Sequence, residues 1–352
     1  MKFYPNIFIV KNEYHFVIIP KNNAQVSIKI DGKRYYEVNG GIIPTADDVH
    51  KIIIPQSVLD KAGKYTVIIR DVIDKKTYFP EFKEEVEYQF DFKNDSVNNL
   101  KAYYLADIHG MYDIAKNLVK PHNGVDFIII NGDYGECDKK EDIYRLNEFI
   151  GQITLGSIPV LFVRGNHDTR GRFAEYLYKY VGMDGQKGYF KFNFRSLSGL
   201  ALDCGEDKWD SSVEYNYSNV FEDYRKQELK FIKNAKFSKD KYLFAVSHTS
   251  FMLKNSMNGI FDIDYATFNK WAKALNSKGL NFMLCGHIHY FLVSPPSEAD
   301  HQPHNYPVIT GSQVSKDYKN LYGTLIEFSN GKTTFTFLGE DGEAFPKYVV
   351  NA

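Results

Sequence analysis

Short apolar runs recur along the whole chain, but what separates them changes near residue 95. Before that point Phe8–Val10, Tyr14–Ile19, Gln25–Ile30, Lys33–Val38, His50–Ile54, Lys64–Arg70 and Glu84–Phe92 are rich in branched and aromatic residues. The turn signals Pro20–Asn23, Asp31-Gly32, Asn39–Gly41 and Lys61–Gly63 interrupt them. Such short runs with Gly, Asn and Asp between them predict strands throughout, and hence an all-β sandwich over residues 1–95.

Beyond the polar stretch Lys93–Asn99, which reads as a linker, the rhythm becomes strand, polar loop, helix. Buried strands are predicted at Lys101–Ala106, Val125–Asn131, Ile158–Arg164, Leu200–Asp203, Tyr242–Ser247 and Leu280–Cys285. Helical spacing marks Tyr112–Val119, Glu141–Leu155, Arg172–Val181, Glu222–Asn234 and Asp264–Lys278. After Pro307 strands return, and Tyr322–Phe328 and Lys332–Leu338 flank a Ser329–Gly331 turn as a hairpin. The expected division is therefore a sandwich at 1–95 and a layered α+β domain at 96–352.

Composition adds exclusions rather than chemistry. Of 352 residues 43% are hydrophobic and 25% charged, ordinary for a globular protein. A net charge of -1 gives no basic footprint for general nucleic-acid binding. No run approaches ~18 apolar residues, so no membrane span is expected. The first residues lack the apolar core of a secretory signal, making a cytoplasmic location the default. Cys137, Cys204 and Cys285 form neither a metal spacing nor an even disulfide set, and Cys285 reads as a buried reduced thiol. Nothing in the sequence sets an oligomeric state.

The chemistry lies in five polar signatures, each just after an apolar run. They are Asp107-Ile-His109-Gly110, Gly132-Asp133, Gly165-Asn166-His167-Asp168, His248 and Gly286-His287-Ile-His289. Ligands in strand–loop–helix sheets bind beyond the carboxyl ends of strands, so these residues are expected to converge. Carboxylates, an amide and imidazoles without a thiolate suit a pair of divalent ions such as Mn, Fe, Co, Ni or Zn. Two such ions would favour attack on phosphorus by metal-bound hydroxide.

The ordered set Asp-x-His, Gly-Asp, Gly-Asn-His-Asp, His and Gly-His-x-His resembles the calcineurin-like metallophosphoesterase superfamily, over residues 101 to about 340. That resemblance implies two packed β-sheets flanked by helices. It also implies roles: Asp107, His109 and His289 on one metal, Asn166, His248 and His287 on the other, and Asp133 bridging both. His167 would face the scissile phosphate as acid or charge stabiliser, with Asp168 orienting it and keeping it basic. Purple acid phosphatases carry a tyrosine ligand three residues after the bridging aspartate; here Glu136 stands there. Protein Ser/Thr phosphatases share Asp107–Gly110, Gly132–Tyr134 and Arg164–His167, but their next arginine is missing from Gly135–Asp138. The broader bacterial type fits better. Val49–Pro55 followed by Leu59–Tyr65 resembles, more distantly, an immunoglobulin or fibronectin-III module.

A small phosphoester is thus the expected substrate, with a phosphomonoesterase favoured and a phosphodiesterase as the alternative. A non-catalytic scaffold on the same fold is the competing class, although every ligand position is filled. Arg170 is preferred over Arg164 and Arg172 for gripping a phosphate oxygen. Tyr134 could pack beneath the metals or border the substrate. His15, His50, His122, His301 and His304 are expected to have no metal role. His301 and His304 are assigned to an exposed loop, with a loop overhanging the metals as the sharper alternative.

Overall fold

The structure, a computed structural model, describes residues 1–37, 46–94, 97–122, 124–238, 242–253, 263–339 and 346–351. The expected turn at Asn39–Gly41 lies outside them.

Four layers position the site. A ten-stranded sheet runs, in order, Tyr348–Asn351, Lys332–Leu338, Leu321–Ser329, Leu100–Leu105, Phe127–Asn131, Val160–Val163, Asn6–Val10, Glu13–Ile18 and His50–Pro55, with Gln313–Val314 pairing beside Leu321–Ser329. A six-stranded sheet of Phe190–Phe194, Leu197–Leu202, Tyr242–Ser247, Phe282–Cys285, Val308–Thr310 and Leu292–Ser294 faces it. Phe127, Ile129, Phe190, Phe192, Phe244 and Phe282 interdigitate between the two sheets. Helices Tyr112–Val119 and Lys140–Thr154 cover the outer face of the first sheet. Helices Phe221–Asn234 and Tyr265–Asn276 cover the second. No described helix is long and apolar enough to cross a membrane. All three cysteines are buried and free.

The strands Leu100–Leu105, Phe127–Asn131 and Val160–Val163 are parallel, with register Phe127↔Ala102 and Ile128↔Val160. Their unbroken apolar sequences follow from burial on both faces. The hairpin Leu321–Ser329/Lys332–Leu338 closes through Asn330 (φ 51°) and Gly331 (φ 70°), the doubly left-handed turn that matches strand twist. Phe190–Phe194, absent from the sequence-based strands, alternates buried and half-buried positions.

The N-terminal region departs from expectation. Asn6–Val10 pairs in parallel with Val160–Val163 through Phe8↔Val160, and Glu13–Ile18 and His50–Pro55 extend the same sheet. Ala24–Ile30, Lys33–Tyr36, Lys64–Asp74, Glu81–Phe82 and Val86–Asp91 form a separate five-stranded sheet. Its Val26, Ile28, Val67 and Ile69 share a core with Ile7, Phe16 and Ile52 of the large sheet. No sheet boundary therefore falls at residue 95. The physical reason is that Asn6–Val10 is buried along its whole length, and only a central position in a sheet provides that. Gln56–Ala62, within the stretch compared to an immunoglobulin-like module, is a short helix ended by left-handed Gly63.

Arg172–Val181 holds only a 3-10 segment, Ala174–Lys179. A Cβ on Gly171 would lie 2.5 Å from the Cys137 carbonyl oxygen, and one on Gly182 2.4 Å from Phe8 Cβ.

Candidate metal centre

The five signatures converge where the parallel strands of the two sheets end. Left-handed backbone marks the convergence: Asp107 (φ 56°), His109 (45°), Asp133 (53°), His287 (72°) and His289 (60°) all leave their strands in that conformation. For residues other than glycine this costs about 1 kcal/mol or more each and persists where surrounding structure enforces it, as at functional sites. Close backbone approach supplies the enforcement. A Cβ on Gly132 would lie 2.5 Å from Gly165 Cα and 2.6 Å from His248 Nδ1, and one on Gly165 2.3 Å from Asp133 Oδ1.

Two groups of ligand atoms result. Asp107, His109 and His289 form one, and Asp133, His248 and His287 the other, each with its atoms within 4.8 Å of one another. His109 Nε2 and His289 Nε2 are 3.1 Å apart. Asp107 Oδ1 lies 3.5 Å from His289 Nε2 and 3.7 Å from His248 Nε2, so this buried carboxylate touches both groups. Asp133 Oδ2 is 3.1 Å from His248 Nε2. The other ring nitrogen of His248, Nδ1, is 2.7 Å from the Asn131 carbonyl, which turns Nε2 toward the site.

The electrostatics are those of an ion-binding pocket. Burial pushes His109 down to about 4, and burial together with His248 pushes His287 down to about 4. Burial opposes charge on His248 as well, yet the Asp133 and Asp107 carboxylates push it up to about 10. Asp107 and Asp133 are held below the usual carboxylate range in spite of burial, chiefly by the neighbouring imidazoles. A divalent ion supplies the same compensation more strongly. Asn166 Oδ1 and Nδ2 are buried without a hydrogen-bond partner, an arrangement that costs energy unless a ligand completes it. Oxygen and imidazole donors with no thiolate fit a pair of hard-to-borderline divalent ions.

Around this pocket the expected residues take more varied places. His167 donates its main-chain N–H to Asp133 Oδ1 at 2.9 Å, and its half-exposed ring lies 3.9 Å from Asp133 Oδ2. Asp168 does not orient that ring. Its buried carboxylate accepts N–H groups from Gly165 (2.7 Å), Asp133 (3.0 Å) and Tyr134 (3.2 Å), tying two ligand turns together. Nor is His167 kept basic: burial lowers its pKa, and Arg170 adds to the effect. Burial and the Asp133 charge push Asp168 up to about 7, against the pull of its N–H donors.

Arg170 reaches the site. Its Nη1 lies 3.2 Å from His167 Nε2, while Nε and Nη2 donate to Glu206 at 2.8 and 2.6 Å and Nη2 to Asp207 at 3.0 Å. Asp207 Oδ2 is 4.0 Å from His287 Nε2. Sequence reasoning missed Glu206 and Asp207, although they follow the Leu197–Leu202 strand much as the ligands follow theirs. Tyr318, also missed, packs edge-on to His109 at 5.4 Å and to His289 at 6.0 Å.

Other candidates fall away. Arg164, mostly buried, pairs with Asp203 at 2.7 Å, and Arg172 is exposed beside Asp138. Tyr134 is fully buried and packs on Phe162, which answers the open question in favour of packing. His304 is not on an exposed loop: it is buried, with Nδ1 2.7 Å from the Tyr306 carbonyl and Nε2 2.9 Å from Asp300. His301 packs on Tyr265.

The family model for calcineurin-like phosphoesterases matches residues 100–291. The chain belongs to that family. It is accordingly a metal-dependent phosphoester hydrolase with a dinuclear divalent site, and the two ligand groups above are the candidates to hold the ions. A purple acid phosphatase from yellow lupin (Lupinus luteus) seeds has a similar fold, with TM-score 0.60 and 10% identity over 99% of this chain and 74% of that one. A dimetal phosphatase from Danio rerio aligns with TM-score 0.50 and 13% identity, over 73% of this chain and 99% of that one. A search of the curated proteins finds no match.

Proposed function

We propose that this phosphoesterase of the broader bacterial type hydrolyses small phosphomonoesters, with Asp107, His109 and His289 holding one ion and Asn166, His248 and His287 the other. Asp133 would be the carboxylate shared by the two ions. The observation that carries this reading is the contact of Asp107 with one imidazole from each group, at 3.5 and 3.7 Å, which brings the two groups into one site. Bound there, a divalent pair supplies an activated water and neutralises phosphoryl oxygens.

The chain does the rest. His167 stands at the rim of the ligand set, where its ring hydrogen-bonds the departing oxygen. Arg170 Nη1 faces the same space, and the Glu206 carboxylate fixes the guanidinium so that this edge points to the phosphate. A monoester offers three unesterified phosphoryl oxygens to the ions and to the Nη1 edge that Glu206 and Asp207 leave open, and a diester only two. Every ligand position is filled, which disfavours a non-catalytic scaffold.

The test is steady-state kinetics with p-nitrophenyl phosphate and bis-p-nitrophenyl phosphate across Mn, Fe, Co and Zn. The monoester should be turned over with the higher kcat/KM. A preference for the diester overturns the monoester assignment, and no turnover of either overturns the function.

A further inference from the structure

His109 and His167, with ring centroids 5.2 Å apart, form the inner end of a cleft of about 410 Å³. It continues past Tyr112, Glu136, Asp142 and Arg145, and neither Arg170 nor Asp207 lines it. We propose that this cleft receives the alcohol portion of the substrate and selects a sugar or polyol phosphate. The proposal rests on the phosphomonoesterase reading and adds the class of leaving group.

Donor and acceptor chemistry carries the argument. A hydroxyl both donates and accepts, so a run of them is matched by carboxylates and a guanidinium in one wall. Glu136 and Arg145 are exposed and, among the described residues, neither makes an ion pair, so both are available to a ligand. Asp142 spends Oδ2 on the Lys139 N–H at 3.0 Å, leaving its other oxygen to accept. Tyr112, braced on Phe149 at a centroid distance of 5.3 Å, offers a ring for the CH face of a sugar.

Competing leaving groups fit less well. An aryl group would require apolar walls, and Tyr112 alone offers one. A second phosphate would meet two carboxylates against one guanidinium. Width is set at Gly135, where a Cβ would lie 3.1 Å from Tyr112 Oη. Any larger side chain there would press on the ring and narrow the entrance.

The metal-loaded enzyme, Glu136→Gln, Arg145→Met and Gly135→Val are compared on glucose 6-phosphate, p-nitrophenyl phosphate and ADP. Saturation-transfer NMR with glucitol on metal-free protein gives a readout independent of turnover. We expect glucose 6-phosphate to be preferred over ADP. Glu136→Gln and Arg145→Met should each lower the ratio of kcat/KM for glucose 6-phosphate to that for p-nitrophenyl phosphate about tenfold, the worth of one charge-assisted hydrogen bond, and Gly135→Val should lower it by narrowing the entrance. Saturation transfer to glucitol should weaken in parallel. Unchanged ratios, or a preference for ADP, overturn the proposal. Turnover of p-nitrophenyl phosphate without turnover of glucose 6-phosphate overturns it while leaving the phosphomonoesterase standing; no turnover of any ester overturns both. Circular dichroism checks that the variants at exposed Glu136 and Arg145 and at half-buried Gly135 remain folded.

Discussion

Asp133 and His167 sit side by side yet should fail differently when changed. Asp133 faces His248 Nε2 at 3.1 Å through one oxygen and accepts the His167 N–H through the other. Asp133→Asn keeps the shape and removes the charge that, on the proposed assignment, both ions would share, so elemental analysis should find the two ions per chain reduced to one or none. A full complement in the variant would remove Asp133 from the ligand set. His167→Ala, by contrast, deletes a ring that no ligand group includes. It should retain both ions while kcat falls by about 10²–10⁴, the usual worth of a positioned proton donor. Loss of metal together with activity would make His167 a ligand instead.

At the scale of strands and turns, burial itself becomes measurable through His15. Its strand, Glu13–Ile18, is interior to the large sheet, and burial pushes the imidazole down to about 3 from an ordinary 6.5, with Lys51 and Lys11 adding to the effect. Between those values the unfolded chain takes up a proton that the folded chain refuses. Stability is therefore complete above pH 6.5 and is lost as pH falls toward 3. At pH 4.5 the loss from this one group is about 3 kcal/mol. His15→Phe should flatten the fall in Tm between pH 7 and pH 4.5, measured without metal in both proteins. An identical pH slope in the variant would show that His15 is protonated in the folded state. Strand and turn positions of this kind were largely legible, because Phe127–Asn131 or Tyr242–Ser247 carry long apolar runs and the ligands stand at their ends. Asp168, Glu206 and Asp207 were not legible in their roles. A carboxylate that gathers three main-chain N–H groups, or two that grip one guanidinium, depends on loops whose mutual approach no local spacing encodes.

For the molecule as a whole, the lesson lies in strand Asn6–Val10. Its composition suits a sandwich strand equally well, and only the pairing Phe8↔Val160 places it in the catalytic sheet. Partner choice between strands distant in sequence is set by the shared core, where Ile7 and Ile9 meet the five-stranded sheet while Phe8 packs with Phe162 on the helical side. Asn6–Val10, Glu13–Ile18 and His50–Pro55 therefore complete the sheet that carries the candidate metal centre. Removing them would strip Val160–Val163 of a neighbour and expose apolar side chains, each worth about 2 kcal/mol when buried. Several such losses together match the ~5–15 kcal/mol that holds a domain together. Residues 96–352 expressed alone should thus lack a cooperative melting transition and bind no stoichiometric metal, whereas the full chain should melt cooperatively and bind metal. A truncated protein with a sharp transition and two bound ions would show that the N-terminal strands pack on a sheet already stable without them.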